Sequence, residues 1–179
     1  MEHVEIRLSG TGGQGLILGA MILAEALIAE GHQVAQSQAF EPVSRGGVSR
    51  SDLVAGTAMP EYPLVTALDV LLVLDQCAVE VSQGLVRSGG LVLVDAERVP
   101  HPPDGQLRRV ALPLVATALR VGNARVANMV ALGAMAVLGG LCALDALERA
   151  VRAGVPPAFL EPSVAALAAG ADLAQTAGH

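Results

Sequence analysis

Short apolar runs separated by glycine and proline divide this chain into strands and helices. Residues 4–8, Val-Glu-Ile-Arg-Leu, are β-branched where a strand wants them and predict β-structure. The loop Gly10-Thr11-Gly12-Gly13-Gln14-Gly15 follows at once. Residues 16–30 are apolar on nearly every face, apart from Glu25 and Glu30, and predict a helix. Gly31 ends it in the C-cap role that glycine fills without strain. Residues 33–39 predict a second strand, so the chain opens as strand, glycine turn, helix and strand, a unit with a right-handed crossover.

Residues 40–51 carry turn chemistry, Glu41-Pro42 and then Arg45-Gly46-Gly47, before a strand at 48–55 that either forms a hairpin or adds antiparallel to the sheet. A fully apolar strand is expected at 70–74, a helix at 78–86, and a strand at 91–94 after Ser88-Gly89-Gly90. Residues 99–105 are proline-rich loop, and 107–112 read as an edge strand stopped by Pro113. Beyond it the pattern is helical at 114–121, 125–141 and 143–152. Pro156-Pro157 breaks the pattern before a last alanine-rich helix at 160–174. With no repeat and no linker, residues 1–179 are expected to form a single domain. The expected fold class is α/β: an open, Rossmann-like, mostly parallel sheet with helices on both faces and a helical C-terminal portion.

Composition sharpens this picture. Hydrophobic residues are 53% of the chain and aromatics only 2%, so the core must be built from Ala, Val and Leu. That suits helices packed on a buried parallel sheet, and it leaves apolar surface available to a partner. The longest apolar runs fall short of the roughly 20 residues that cross a bilayer. The acidic start Met1-Glu2-His3-Val4-Glu5 lacks the features of a signal peptide, so a cytoplasmic protein is expected. Eleven Lys and Arg against seventeen Asp and Glu give a net charge of −6, without the basic stripe that nucleic-acid binding needs. Cys77 and Cys142 are too few and too far apart for a disulfide framework, a zinc site or an iron–sulfur cluster held by this chain. Both are expected as small buried hydrophobes.

The glycine loop has the G-x-G-x-x-G spacing of a dinucleotide site and the required strand-to-helix setting. Gly10 permits the tight turn, Gly12 lets backbone approach a phosphate, and Gly15 lets the helix pack close to the sheet. Helix-start N–H groups attract anions. A tight turn with no ligand remains equally open. The acid that a nicotinamide site places at the end of the second strand is missing: the stretch reads Ala35-Gln36-Ser37-Gln38, and the first acid is Glu41.

Three segments together carry a resemblance: Gly10 to Gly15, the stretch Glu41-Pro42-Val43-Ser44-Arg45-Gly46-Gly47, and Asn128-Met129-Val130-Ala131-Leu132-Gly133 on a late helix. This set resembles the gamma subunit of the 2-oxoacid:ferredoxin oxidoreductases, over almost the whole chain. The resemblance implies one part of a larger enzyme that converts a 2-oxoacid and coenzyme A to acyl-CoA and carbon dioxide, with two electrons passed to ferredoxin. It implies partners, the alpha, beta and ferredoxin-like delta subunits, which hold thiamine diphosphate, magnesium and iron–sulfur clusters. It also implies that the gamma part walls the thiamine site and helps place coenzyme A. The alternatives are an independent Rossmann-type coenzyme-binding enzyme and a purely structural interaction subunit. Alone, the chain could pair with itself through its apolar surface.

The expected contacts to coenzyme A are Gly10, Thr11, Gly12, Gly13, Gln14, Gly15, Arg45, Gly46, Gly47 and Asn128, with no catalytic residue and no metal ligand. Arg45 offers a planar fork to a carboxylate or phosphate, or else pairs with Glu41 or an interface acid. Gln14 donates to a ligand or caps its own turn. Asn128, polar on an apolar helix, needs a partner, either in the sheet or glycine loop or in a ligand. Asp75 and Asp95 stand at strand ends, where each either meets a ligand or caps the next element. His3, His32, His101 and His179 share no spacing that suggests catalysis or metal binding.

Overall fold

The computed structural model describes residues 2–40 and 47–177. Arg45 and Gly46, with the rest of residues 41–46, lie outside the described residues. Six strands form one sheet in the order β2-β3-β1-β4-β5-β6. They are β1 (His3–Thr11), β2 (Gln33–Phe40), β3 (Val48–Gly56), β4 (Leu68–Val73), β5 (Val86–Asp95) and β6 (Arg108–Leu112). The half from β1 to β6 is parallel. β3 runs antiparallel to both β1 and β2 and lies between them. The opening strand–helix–strand unit is therefore split: the antiparallel addition expected at 48–55 is present, inserted beside β1.

The helices are α1 (Leu16–Ala29), α2 (Leu114–Val121), α3 (Ala127–Gly139), α4 (Leu144–Gly154) and α5 (Pro157–Ala177). α1 covers β1, β2 and β3, while α2 and α3 reach β5. Val4, Ile6, Leu8, Leu53, Val70, Leu72 and Leu93 join the helices in the main core. α3 is buried almost throughout, which explains a helix apolar on every face. α4 lies at the surface with two i,i+4 pairs, Asp145–Arg149 and Glu148–Arg152.

The second face of the sheet is covered differently from the expectation of helices on both faces. Its smaller core, Leu68, Leu71, Val73, Ala78, Val79, Val92, Val94 and Val99, lies under loop and two 3-10 turns, Gln76–Ala78 and Glu80–Ser82. The helix expected at 78–86 is replaced by these two turns. Arg7 draws on the Val81 carbonyl (2.9 Å), and Gly84 at φ 77° reverses the chain. β5 then starts early at Val86, and Ser88-Gly89-Gly90 forms an irregularity within the strand, with Gly89 at φ 78°. α5 also starts early: Pro157 opens it, since a helix's first residue needs no N–H donor. No helix among the described residues is long and apolar enough to cross a membrane.

Candidate functional site

β1 ends at the glycine loop, on the carboxyl edge of the parallel strands where open α/β sheets bind ligands. Gly13 (φ 90°) and Gly15 (φ 69°) are left-handed, a region that suits only glycine without strain. The loop is held closed from inside. Gln14 accepts the Thr11 N–H at its Oε1 (2.7 Å) and donates its Nε2 to the Leu74 carbonyl (3.2 Å). Both ends of this side chain are engaged, which is the turn-capping alternative. A Cβ at Gly10 would run into the Gln14 Oε1, so the first glycine makes room for that clasp. The Gly12 N–H donates to the Gly47 carbonyl (3.1 Å), tying the loop to the start of β3.

Asn128 supplies the third fastening. It is 2% exposed and donates its Nδ2 to the Gly15 carbonyl (2.9 Å), while its Oδ1 accepts the Met129 N–H (3.0 Å). A Cβ at Gly15 would lie 2.5 Å from that Nδ2. The segments near residues 10–15, 47 and 128 thus meet in space. Gly12 and Gly13 form the exposed rim, and a Cβ on either would meet nothing within 4 Å among the described residues. Gly15, the N-cap of α1, has no side chain with which to cap the first N–H groups of the helix.

Behind the loop, Gly15, Leu18, Arg125, Asn128, Met129 and Phe159 line a largely apolar cavity of about 250 Å³. Asp75 and Asp95 do not face it as ligands. Asp75 accepts the Cys77 N–H (3.2 Å), and buried Asp95 accepts from Glu97, Arg98 and Val115. Cys77 is exposed, contrary to the expectation of burial, because it sits on that surface turn. Cys142 is partly buried, and burial, helped by Glu30, pushes its thiol pKa up to about 12. The His32 Nδ1 is buried with no hydrogen-bond partner among the described residues.

One polar cluster escaped the sequence reading. On the second face of β1, Arg7 (3% exposed) makes a two-pronged ion pair with Asp52 (6% exposed) at 2.7 and 2.8 Å, and also donates to Ser82 (3.3 Å). Glu5 accepts from the backbone N–H groups of Thr66 and Ala67 and from the Thr66 hydroxyl (2.9 Å). Burial raises the Glu5 pKa, but these bonds and His3 outweigh it and hold the carboxyl below its ordinary value. The alternation Val4-Glu5-Ile6-Arg7-Leu8 was the available signal: every second side chain belongs to the other face.

Among the described residues no three His, Cys, Asp or Glu side chains gather as a metal site. Two separated cysteines cannot supply the four thiolates of a typical iron–sulfur cluster. Fold and site together define an open α/β chain with a clasped glycine loop at its ligand edge. The chain belongs to the pyruvate ferredoxin/flavodoxin oxidoreductase family, whose model matches residues 5–173, and within it is a gamma-type chain. It is 32% identical over 177 residues to 2-oxoglutarate synthase subunit KorC of Methanothermobacter marburgensis, covering 94% of this chain and 95% of that one. It is 32% identical over 162 residues to the pyruvate/ketoisovalerate oxidoreductases common subunit gamma of Thermococcus litoralis, covering 83% and 85%. The solved keto/oxoacid ferredoxin oxidoreductase gamma subunit of Geobacter sulfurreducens is 40% identical with a TM-score of 0.86, covering 97% of this chain and 99% of that one. Gamma-type chains are subunits of oxidoreductase complexes, so this chain works with other subunits.

Proposed function

We propose that this chain acts as a single gamma-type unit in a 2-oxoacid:ferredoxin oxidoreductase, and that the Gly12–Gly13 rim faces coenzyme A in the assembled enzyme. The reaction takes a 2-oxoacid and coenzyme A to acyl-CoA and carbon dioxide, and two electrons go to ferredoxin. Thiamine diphosphate, magnesium and the iron–sulfur clusters belong to the alpha, beta and ferredoxin-like delta partners. The observation that carries the reading is the end-to-end match to stand-alone gamma chains. The open space over Gly12 and Gly13 at the carboxyl edge of the sheet supports the coenzyme A role, and Arg45, Gly46 and Gly47 are proposed to complete that rim. The Thermococcus litoralis gamma chain is by name common to two oxidoreductases with different 2-oxoacids. That supports a gamma chain that leaves choice of the 2-oxoacid side chain to its partners.

Gly12→Asp tests the rim, since the new side chain enters open space and its charge would repel the phosphates of coenzyme A. In the reconstituted complex the KM for coenzyme A should rise roughly tenfold, about 1.4 kcal/mol of repulsion, with the 2-oxoacid KM unchanged. An unchanged coenzyme A KM would remove the rim from the site. A second reading has support of its own: the loop's Thr11, Gly12 and Gln14 N–H groups all donate within the protein. If Gly12→Asp folds normally but no longer joins its partners, the loop is a docking surface for another subunit.

A further inference from the structure

Leu18 of α1, Met129 of α3, Val155 after α4 and Phe159 of α5 wall the cavity of about 250 Å³ behind Gly15. That is room for about eight water-sized groups. Phe159, one of the chain's two phenylalanines, is 37% exposed at its side, a large ring left partly in water. The walls belong to helices packed in the main core, so the space is preformed.

The polar side chains that line this space have hydrogen bonds left to give. Ser163, one turn beyond Phe159 on α5, is 2% exposed, and its hydroxyl bonds to none of the described residues. A hydroxyl buried to that degree ordinarily has a partner. Arg125 is exposed at the cavity, and its guanidinium likewise pairs with none of the described residues. The Asn128 Oδ1 is taken by the Met129 N–H, whereas its Nδ2 gives one N–H to Gly15 and keeps a second. No acidic side chain is among the described residues that line the cavity, although the chain carries a net charge of −6.

We infer that this cavity binds a small carboxylate with an apolar body. The body lies against Leu18, Met129 and Phe159, and the carboxylate oxygens take the donors of Arg125, Ser163 and Asn128. An apolar group alone would leave the Ser163 hydroxyl unanswered, and an amine would meet the Arg125 charge. A side chain of another protein fits less well, because Asp and Glu carry their charge on stems too short to cover these walls. The assignment does not depend on the Gly12–Gly13 rim meeting coenzyme A.

Hexanoate matches the cavity in size and should bind the full chain with a Kd of roughly 1 mM, an affinity open to so small a ligand. Hexylamine, of equal length and opposite charge, should not bind. Arg125→Gln should weaken hexanoate roughly tenfold and Ser163→Ala about threefold. In methionine-methyl NMR the Met129 signal should shift on titration, while that of Met59, exposed and outside the cavity, stays in place. The proposal is overturned by no binding at many times that concentration, by equal binding of hexylamine, by an unmoved Met129 signal, or by binding that either variant leaves unchanged. Displacement of hexanoate by coenzyme A would make the cavity part of the coenzyme A site. Displacement on joining the other subunits would show that a partner fills it. Either result also overturns a separate carboxylate site.

Discussion

Gly12 and Gly15 stand three residues apart in one motif and have opposite physical demands. Gly12 has ordinary backbone angles and open space where a side chain would go, so Gly12→Ala should unfold within about 0.5 kcal/mol of the parent. Gly15 is left-handed and pressed on Asn128. Gly15→Ala adds about 1–2 kcal/mol of backbone strain and a contact that Asn128 must yield to, so a loss of about 2 kcal/mol or more is expected. Urea unfolding of both variants checks this, and equal losses would mean that the loop is not clasped as described. One glycine is present for what it leaves open, the other for what it lets pack. Asn128 and Gln14 belong with Gly15, since each spends its amide groups holding the turn.

Among the helices, α3 and α5 pack backbone against backbone. A Cβ on Gly133 would collide with the Leu167 carbonyl of α5, and one on Gly170 with the Val130 carbonyl of α3. Two glycines, one from each helix, let the backbones nearly touch. Gly133→Ala and Gly170→Ala should each cost about 1–3 kcal/mol by forcing the helices apart. Because one separation accommodates both methyl groups, the double variant should cost less than the sum of the singles, a shortfall that a double-mutant cycle measures. Additive losses would show that the two sites relax independently. The motif from Asn128 to Gly133 therefore does two jobs one and a half turns apart: its first residue pins the glycine loop and its last admits α5.

For the whole molecule, the two faces of the sheet obey different chemistry. The helix face is a broad apolar core, whereas the second face anchors its loops through the Arg7–Asp52 pair and the Glu5 bonds to Thr66 and Ala67. The pKa of Glu5 is lower in the folded chain than its ordinary value near 4.5. Its contribution is therefore complete above that value and is lost as pH falls through the lowered one. Thermal unfolding between about pH 5 and pH 3 should lose stability more steeply for the parent than for Glu5→Gln, which has no carboxylate to protonate. Parallel pH profiles would mean that the Glu5 bonds do not depend on its charge.

Much of this protein was legible as pattern. The apolar runs placed nearly every strand, four of the five α-helices to within a few residues and the fifth to within three residues at either end, and the spacing of Gly10, Gly12 and Gly15 located the turn at the ligand edge. These features are local: strand and helix periodicity and glycine's backbone freedom act within a few residues. What the pattern left undetermined depended on residues far apart in sequence. Gln14 caps its own turn because Leu74 arrives beside it, and Asn128 finds its partner 113 residues away. The helix expected at 78–86 gave way to 3-10 turns because Arg7, some 74 residues earlier, claims the Val81 carbonyl. β3 inserted itself between β1 and β2 through pairings that no run of residues announces. Local backbone preference thus determined the elements. Hydrogen bonds and packing between distant segments, formed only when the sheet assembles, decided their neighbours and how the glycine loop is clasped.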